Sequence, residues 1–101
     1  MRLPTTKQAI RHTAEYYGVP EEALTSKACR AREAVLKRQI AMYVASKTTF
    51  KSLRQLGDEF GFFDSTIVAG AIKKIAGLMQ NDPEMSDDIK AIITSVTNDD
   101  V

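Results

Sequence analysis

Residues 52–68 read SLRQLGDEFGFFDSTIV and combine helix-capping residues with a glycine at a turn. Ser52 opens this stretch with the spacing of a capping box, in which two side chains three residues apart bond each other's backbone N–H groups. Gly61 suits the end of the short helix that follows, and Asp64 or Ser65 suits the N-cap of the next helix. A short capped helix, a turn of three or four residues that begins with glycine, and a longer helix with a polar start are typical of a helix-turn-helix. The stretch therefore predicts that motif.

The rest of the chain also has helical periodicity, and no stretch alternates as a strand would. Thr5 begins a first helix with another capping box, Gly18 ends it, and Pro20 falls in the first turn of a short second helix. A longer third helix precedes the helix-turn-helix. The Asn-Asp-Pro run at 81–83 predicts a stop, and Ser86 is predicted to begin the last helix.

These elements predict an all-α protein, a compact bundle of five or six helices. The length of 101 residues suits a single domain over 1–101, with one modest core over about 6–96 and a frayed tail at 97–101. The helical spacing predicts that Leu53 and Leu78 both face this core.

Several function classes are disfavoured by what the sequence lacks. No apolar run approaches the length of a membrane span, and this absence is compatible with the cytoplasmic protein that we expect. The single cysteine, Cys29, forms no internal disulfide and supplies no metal cluster. No GxxxxGK[ST] phosphate-binding loop occurs, and no nucleophile, base and orienting group converge. We therefore expect no enzyme activity, no metal, no cofactor and no bound nucleotide.

Charge is distributed unevenly along a nearly neutral chain. Between residues 27 and 54 eight basic residues face one acid, a net charge of +7, whereas residues 81–101 carry a net charge of −5. Such a basic segment is either a solvated helix face or a surface that binds a polyanion. On the second interpretation Lys37, with its basic neighbours, is expected to contact phosphate.

Four segments resemble the C-terminal DNA-binding domain, domain IV, of the bacterial replication initiator DnaA. Residues 38–43, RQIAMY, are close to the family's RQIAMYL, and residues 52–61 resemble its SLPEIGxxFG. Residues 14–19 and 71–75 are similar to its first and later helices. The resemblance covers about residues 6–93, in order and without a large gap. It implies the family's Trp-repressor-like helix-turn-helix fold and double-stranded DNA as the partner.

The resemblance also implies roles for individual basic and polar residues. In the family, a basic loop before the third helix inserts arginine into the minor groove, and this implies that role for Arg30 and Arg32. A narrow minor groove has enhanced negative potential, which favours arginine. The same resemblance implies phosphate contacts, which fix register without reading sequence, for Arg38, Gln39 and Lys51.

The second helix of the motif is expected to enter the major groove by its N-terminal residues. Asp64, Ser65 and Thr66 occupy that turn, and short hydroxyl side chains reach base edges or phosphates. Ile67 follows them, and we expect it to face the groove and meet a thymine methyl, the alternative being that it packs inward.

The chain departs from the family where the family reads bases. The family's GGRDHTTV stands against GFFDSTIV at residues 61–68. Arginine is replaced by Phe63, histidine by Ser65, a base-facing threonine by Ile67 and the second glycine by Phe62. Since a good base contact contributes roughly 1–3 kcal/mol of discrimination, we expect altered base specificity.

Phe62 and Phe63 permit two interpretations. Either one of them folds onto the core, or both form an exposed aromatic pair that contacts a partner protein or DNA. The function we expect is DNA binding that regulates transcription or replication. The alternative is a protein-interaction module, such as a transcription-activator subunit of a prophage-like gene-transfer agent, which contacts a sigma-like factor or RNA polymerase.

Overall fold

A computed structural model describes residues 3–26 and 31–99, and these residues form six α-helices and no strand. The predicted all-α class is confirmed, with the higher of the two predicted helix counts. The helices are α1 Thr6–Tyr17, α2 Glu21–Thr25, α3 Arg32–Thr48, α4 Leu53–Glu59, α5 Ser65–Asn81 and α6 Pro83–Thr97.

Helix α1 begins and ends where local side-chain chemistry predicts, whereas α2 begins one residue after the predicted Pro20. Thr5 Oγ1 accepts from the backbone N–H of Gln8 at 3.1 Å, and the Gln8 side chain accepts from the Thr5 N–H at 2.8 Å. Gly18 ends α1 with a left-handed φ of +67°. Pro20 is the N-cap of α2, one position before the helix begins. The predicted capping box and glycine stop are therefore confirmed.

Helix α3 is the centre of the bundle and contacts each of the other five helices. Ile40, Ala41, Val44 and Ala45 lie on its buried faces and are at most 2% exposed. The remaining helices pack their apolar faces around it, so α3 holds α4 and α5 in a fixed relation to α1 and α2. Full burial of a side chain as large as that of Ile40 or Val44 stabilises a fold by about 1.5–3 kcal/mol.

The last helix begins at Pro83, so the prediction that it begins at Ser86 is wrong. The side chain of Asp82 accepts from the Met85 N–H at 3.1 Å and caps the helix, with Pro83 as its first residue. Proline is well placed at a first helical position, where its missing N–H would have no intrahelical partner. The run at 81–83 therefore separates two helices by a single residue.

Two apolar side chains are more exposed than their helical phase predicts. Leu53, the first residue of α4, is 41% exposed, and Leu78 on α5 is 36% exposed. Packing extends past α6: the Asp99 carboxylate pairs with Arg11 and lies 2.8 Å from Nε2 of His12. That carboxylate is largely buried against α1.

Candidate nucleic-acid interface

The predicted helix-turn-helix is formed by α4, a turn over residues 60–64, and α5. Ser52 and Gln55 make the predicted capping box, with N–H to side-chain oxygen distances of 3.1 and 2.8 Å. Asp64 is the N-cap of α5, and its carboxylate accepts from the Thr66 N–H at 2.8 Å. Phe60 in the turn is fully buried, as is Val68 in α5. The two helices are thus clamped by a shared apolar core beneath the turn.

Two glycines let the turn lie unusually close to neighbouring backbone. A Cβ on Gly57 would lie 2.1 Å from the carbonyl oxygen of Phe63, and a Cβ on Gly61 would lie 2.3 Å from that of Thr25. Both distances are far below any van der Waals contact. The Phe63 N–H donates to the Gly57 carbonyl oxygen at 2.8 Å, which ties the turn to α4. These contacts set the angle at which α5 leaves the turn.

The two phenylalanines of the turn have different surroundings. Phe63 is buried, with 7% exposure, so it folds onto the core and is not an exposed partner contact. Phe62 is 75% exposed and has a left-handed φ of +64°. That conformation is strained for a bulky side chain, and an exposed strained residue is a candidate for function.

Arg38 of α3 lies over the buried ring of Phe63. Its guanidinium carbon is 4.6 Å from the ring centroid, and Nη1 donates to the carbonyl oxygen of Ser26 at 3.2 Å. Cation–π contact and the hydrogen bond both restrict the arginine. Phe63, which stands where the family has an arginine, therefore packs beneath the guanidinium of Arg38 and helps to hold it in place.

The first turn of α5 presents small polar groups and one apolar side chain to solvent. Ser65 and Thr66 are exposed, and Ile67 is 53% exposed. With Arg54 and Phe62, Ile67 lines an open hollow of about 490 Å³. The prediction that Ile67 points outward agrees with this exposure.

The other predicted contact residues do not all lie together. Gln39 is half-buried beside Arg38 in the chain, and its side-chain oxygen has no hydrogen-bond partner within residues 3–26 and 31–99. Arg32, exposed at the start of α3, lines a hollow with Lys74 and Leu78, well along α5 from its N-terminus. Arg30 lies outside the described residues.

Lys51 and Lys37 already have neighbours that compete with phosphate. Lys51 Nζ donates to Glu59 Oε2 at 2.8 Å, and this hydrogen bond lowers the pKa of Glu59 below its usual value. Lys37 Nζ lies 5.6 Å from the ring centroid of Tyr17, on the face toward α6. Burial and the nearby Asp88 raise the pKa of Tyr17 to about 12. The hollow beside Lys37 is also lined by Asp82, Glu84 and Asp88, acids that oppose an approaching phosphate.

Three exposed cations near the motif were not among the predicted contacts: Arg54, Lys73 and Lys74. Arg54 borders the hollow beside Ile67. Lys73 follows Thr66 by seven residues, two helical turns, and so shares its face of α5. That spacing is a signal that the sequence contains and that could have identified Lys73.

In the described ranges, no group of three or more histidine, cysteine, aspartate or glutamate side chains is arranged to hold a metal ion. No helix within those ranges has the length and apolar character needed to cross a membrane.

The chain is similar in sequence to known proteins. The family model of the bacterial DnaA protein helix-turn-helix matches residues 6–75. The chromosomal replication initiator protein DnaA of Anaplasma marginale (strain St. Maries) is 37% identical over 92 residues, which are 91% of this chain and 19% of that protein. The same protein of Rickettsia canadensis (strain McKiel) is 35% identical over 97 residues, 96% of this chain and 21% of its own length.

The chain spans about a fifth of the length of these relatives. The family match includes α1 to α4, the turn and residues 65–75 of α5. The chain belongs to the family of bacterial DnaA helix-turn-helix domains.

Proposed function

We propose that this chain binds double-stranded DNA, with the first turn of α5 in the major groove, and thereby regulates transcription or replication. One observation carries the proposal: a DnaA-type helix-turn-helix whose α5 begins with the exposed side chains of Ser65, Thr66 and Ile67. In this motif the N-terminal residues of the second helix contact base edges. A solvent-exposed, capped first turn is the feature that such contact requires.

In this proposal the chain holds the duplex by contacts to the DNA phosphates and the minor groove. Arg38 and Gln39 on α3 and Lys51 before α4 bind phosphates, and Arg30 and Arg32 reach the minor groove. Support for the role of Arg38 comes from its restraint over Phe63, because a guanidinium that is already ordered loses less conformational entropy on binding. Lys51 must exchange Glu59 for phosphate, which reduces its net contribution. Lys37 is not among these phosphate contacts, because its neighbours are Tyr17 and the acids of α6.

Base specificity differs from that of the family in this proposal. Phe63 is buried, so the position at which the family has an arginine supplies no contact to DNA. Ser65 and Ile67 replace the family's histidine and threonine. Asp64 and Thr66 are retained, and the capping bond between them preserves the start of the helix.

A salt titration of DNA affinity tests the proposal. If about four phosphates are neutralised, log affinity should fall against log salt with a slope of about −3 to −4. Fluorescence anisotropy with a labelled duplex measures this slope from about 50 to 300 mM KCl. Arg38→Gln should make the slope shallower by about 1, since it removes one phosphate contact. Lys90→Gln, an equal loss of charge at an exposed position of α6, is the matched control and should leave the slope unchanged.

An affinity independent of salt, or no binding at about 50 mM salt, would contradict the proposal. Thermal melting of each variant checks that Arg38→Gln remains folded, because the arginine also contacts Phe63 and the Ser26 carbonyl.

A second candidate function is protein interaction through Phe62, with a sigma-like factor or RNA polymerase as the partner. The observation that favours it is the 75% exposure of a phenylalanine at a strained φ. Phe62→Gly should abolish capture of such a partner while DNA affinity is retained. Loss of DNA binding together with retained partner binding would instead assign Phe62 to the DNA interface.

A further inference from the structure

The first turns of α5 have an unusual chemical content for a base-reading helix. Residues 64–70, DSTIVAG, contain no arginine, lysine, asparagine or glutamine. Those four side chains make the bidentate contacts that distinguish guanine or adenine in the major groove. The usual means of reading a purine is therefore missing from this segment.

The polar groups that remain discriminate little between base pairs. The Asp64 carboxylate accepts from the Thr66 N–H at 2.8 Å, a bond that holds it at the N-cap. The hydroxyls of Ser65 and Thr66 donate and accept equally well, so either can bond to several bases. Gly70, exposed one turn after Thr66, has no side chain and open space around its Cα, so it does not obstruct an approaching groove.

Ile67 is the side chain in this segment with a distinctive surface. With 53% exposure it is the most exposed large aliphatic side chain of α5, where Val68 and Ile75 are fully buried, Ile72 is partly buried and Leu78 is 36% exposed. Only thymine presents a methyl group in the major groove, and apolar side chains recognise thymine by contact with that group.

We propose that α5 recognises thymine 5-methyl groups through Ile67, and that this contact makes the chain prefer A·T to G·C pairs in the major groove. The proposal rests on the proposed DNA-binding function and names its specificity. Transfer of a methyl group from water into an apolar contact is favourable by about 0.8 kcal/mol, the value for one buried CH₂ group. That value corresponds to about a fourfold change in affinity for each methyl contacted.

Replacement of thymine by uracil isolates the methyl group. Alternating poly(dA-dT) and poly(dA-dU) duplexes present the same hydrogen-bonding groups in both grooves and differ in the 5-methyl. Arginine contacts in the minor groove therefore meet the same donors and acceptors in both. Wild-type protein should bind the thymine polymer about fourfold more tightly, or more if several methyls are contacted.

Ile67→Ser should reduce the thymine-to-uracil affinity ratio to near one, and because Ile67 is exposed the protein should stay folded. Leu78→Ser is the matched control: Leu78 is an aliphatic residue on the same helix, 36% exposed and three turns from the proposed contact. It should keep the wild-type ratio. Circular dichroism melting of both variants checks folding. The variant Ile67→Thr keeps one methyl group and should give an intermediate thymine-to-uracil affinity ratio.

The outcomes separate this inference from the proposed function. Equal wild-type affinity for the two polymers, with a steep dependence on salt, would overturn thymine-methyl recognition and leave DNA binding standing. An unchanged ratio in folded Ile67→Ser would show that another residue reads the methyl, which also overturns the inference. Absence of salt-dependent binding to both polymers would overturn the DNA-binding proposal itself, and this inference with it.

Discussion

Replacement of Gly57 by alanine should destabilise the helix-turn-helix even though alanine is the better helix former. The new Cβ would lie 2.1 Å from the carbonyl oxygen of Phe63, and that backbone atom has to move by about 1 Å to reach even the shortest distances that Cβ atoms show. The move breaks the hydrogen bond that the Phe63 N–H donates to Gly57, now 2.8 Å long.

The size of the stability loss follows from two destabilising effects and one stabilising effect. Overpacking contributes about 1–3 kcal/mol of destabilisation, and a buried N–H without its partner contributes about 1–3 kcal/mol more. The better helix propensity of alanine stabilises the protein by about 1 kcal/mol. Gly57→Ala should therefore reduce the free energy of unfolding by about 3 kcal/mol, which lowers Tm by about 10–20 °C in a domain of this size.

Gly77→Ala is the matched control, because Gly77 is also inside a helix but nothing lies within 4 Å of its Cβ position. It should stabilise the protein by about 0.5–1 kcal/mol. Urea denaturation followed by circular dichroism measures both changes. Stability of Gly57→Ala equal to or above that of the wild type would refute the close approach of the turn to α4.

Three further substitutions test the surroundings of the turn. Phe63→Ala should lower the free energy of unfolding by about 3–5 kcal/mol, because it empties core volume and removes the ring beneath Arg38; a loss under about 1 kcal/mol in urea denaturation would contradict its burial. Phe62→Gly should leave stability within about 1 kcal/mol of the wild type, since relief of the left-handed strain offsets the greater freedom of the unfolded chain; a larger loss would mean that the exposed ring packs after all. Glu59→Gln should release Lys51, steepen the salt dependence of DNA affinity by up to about 1, and change stability by less than about 1 kcal/mol; an unchanged slope in anisotropy would place Lys51 away from phosphate.

Helix boundaries that depend on neighbouring residues were predictable from the sequence. The capping boxes at Thr5 and Ser52 and the left-handed Gly18 are interactions within three or four residues, so their chemistry is visible in the linear pattern. The sequence does not settle where α6 begins, because proline is compatible with two roles. It can follow the end of one helix or occupy the first position of another, and here it does both, two residues after the last residue of α5.

The exposure of individual side chains to solvent depends on which helices face them. Leu53 and Leu78 have the helical phase of core residues, yet the bundle leaves both partly open to solvent. Lys37 lies in the same basic segment as Arg38, but a rotation of 100° per residue along α3 places one toward Tyr17 and α6 and the other toward Phe63. Sequence charge alone does not distinguish these two positions.

The helical class, the motif at residues 52–68 and the positions where most helices begin could be predicted from the sequence, because capping and periodicity depend on residues close together in the chain. Tertiary structure decided which of two adjacent phenylalanines is buried. Phe62 adopts a left-handed φ and points to solvent, while the Gly57 carbonyl holds the Phe63 backbone and Arg38 covers its ring. Burial of one of them depends on how α3 and α4 pack against the turn. Two adjacent phenylalanines in a sequence do not show which of them this packing will cover.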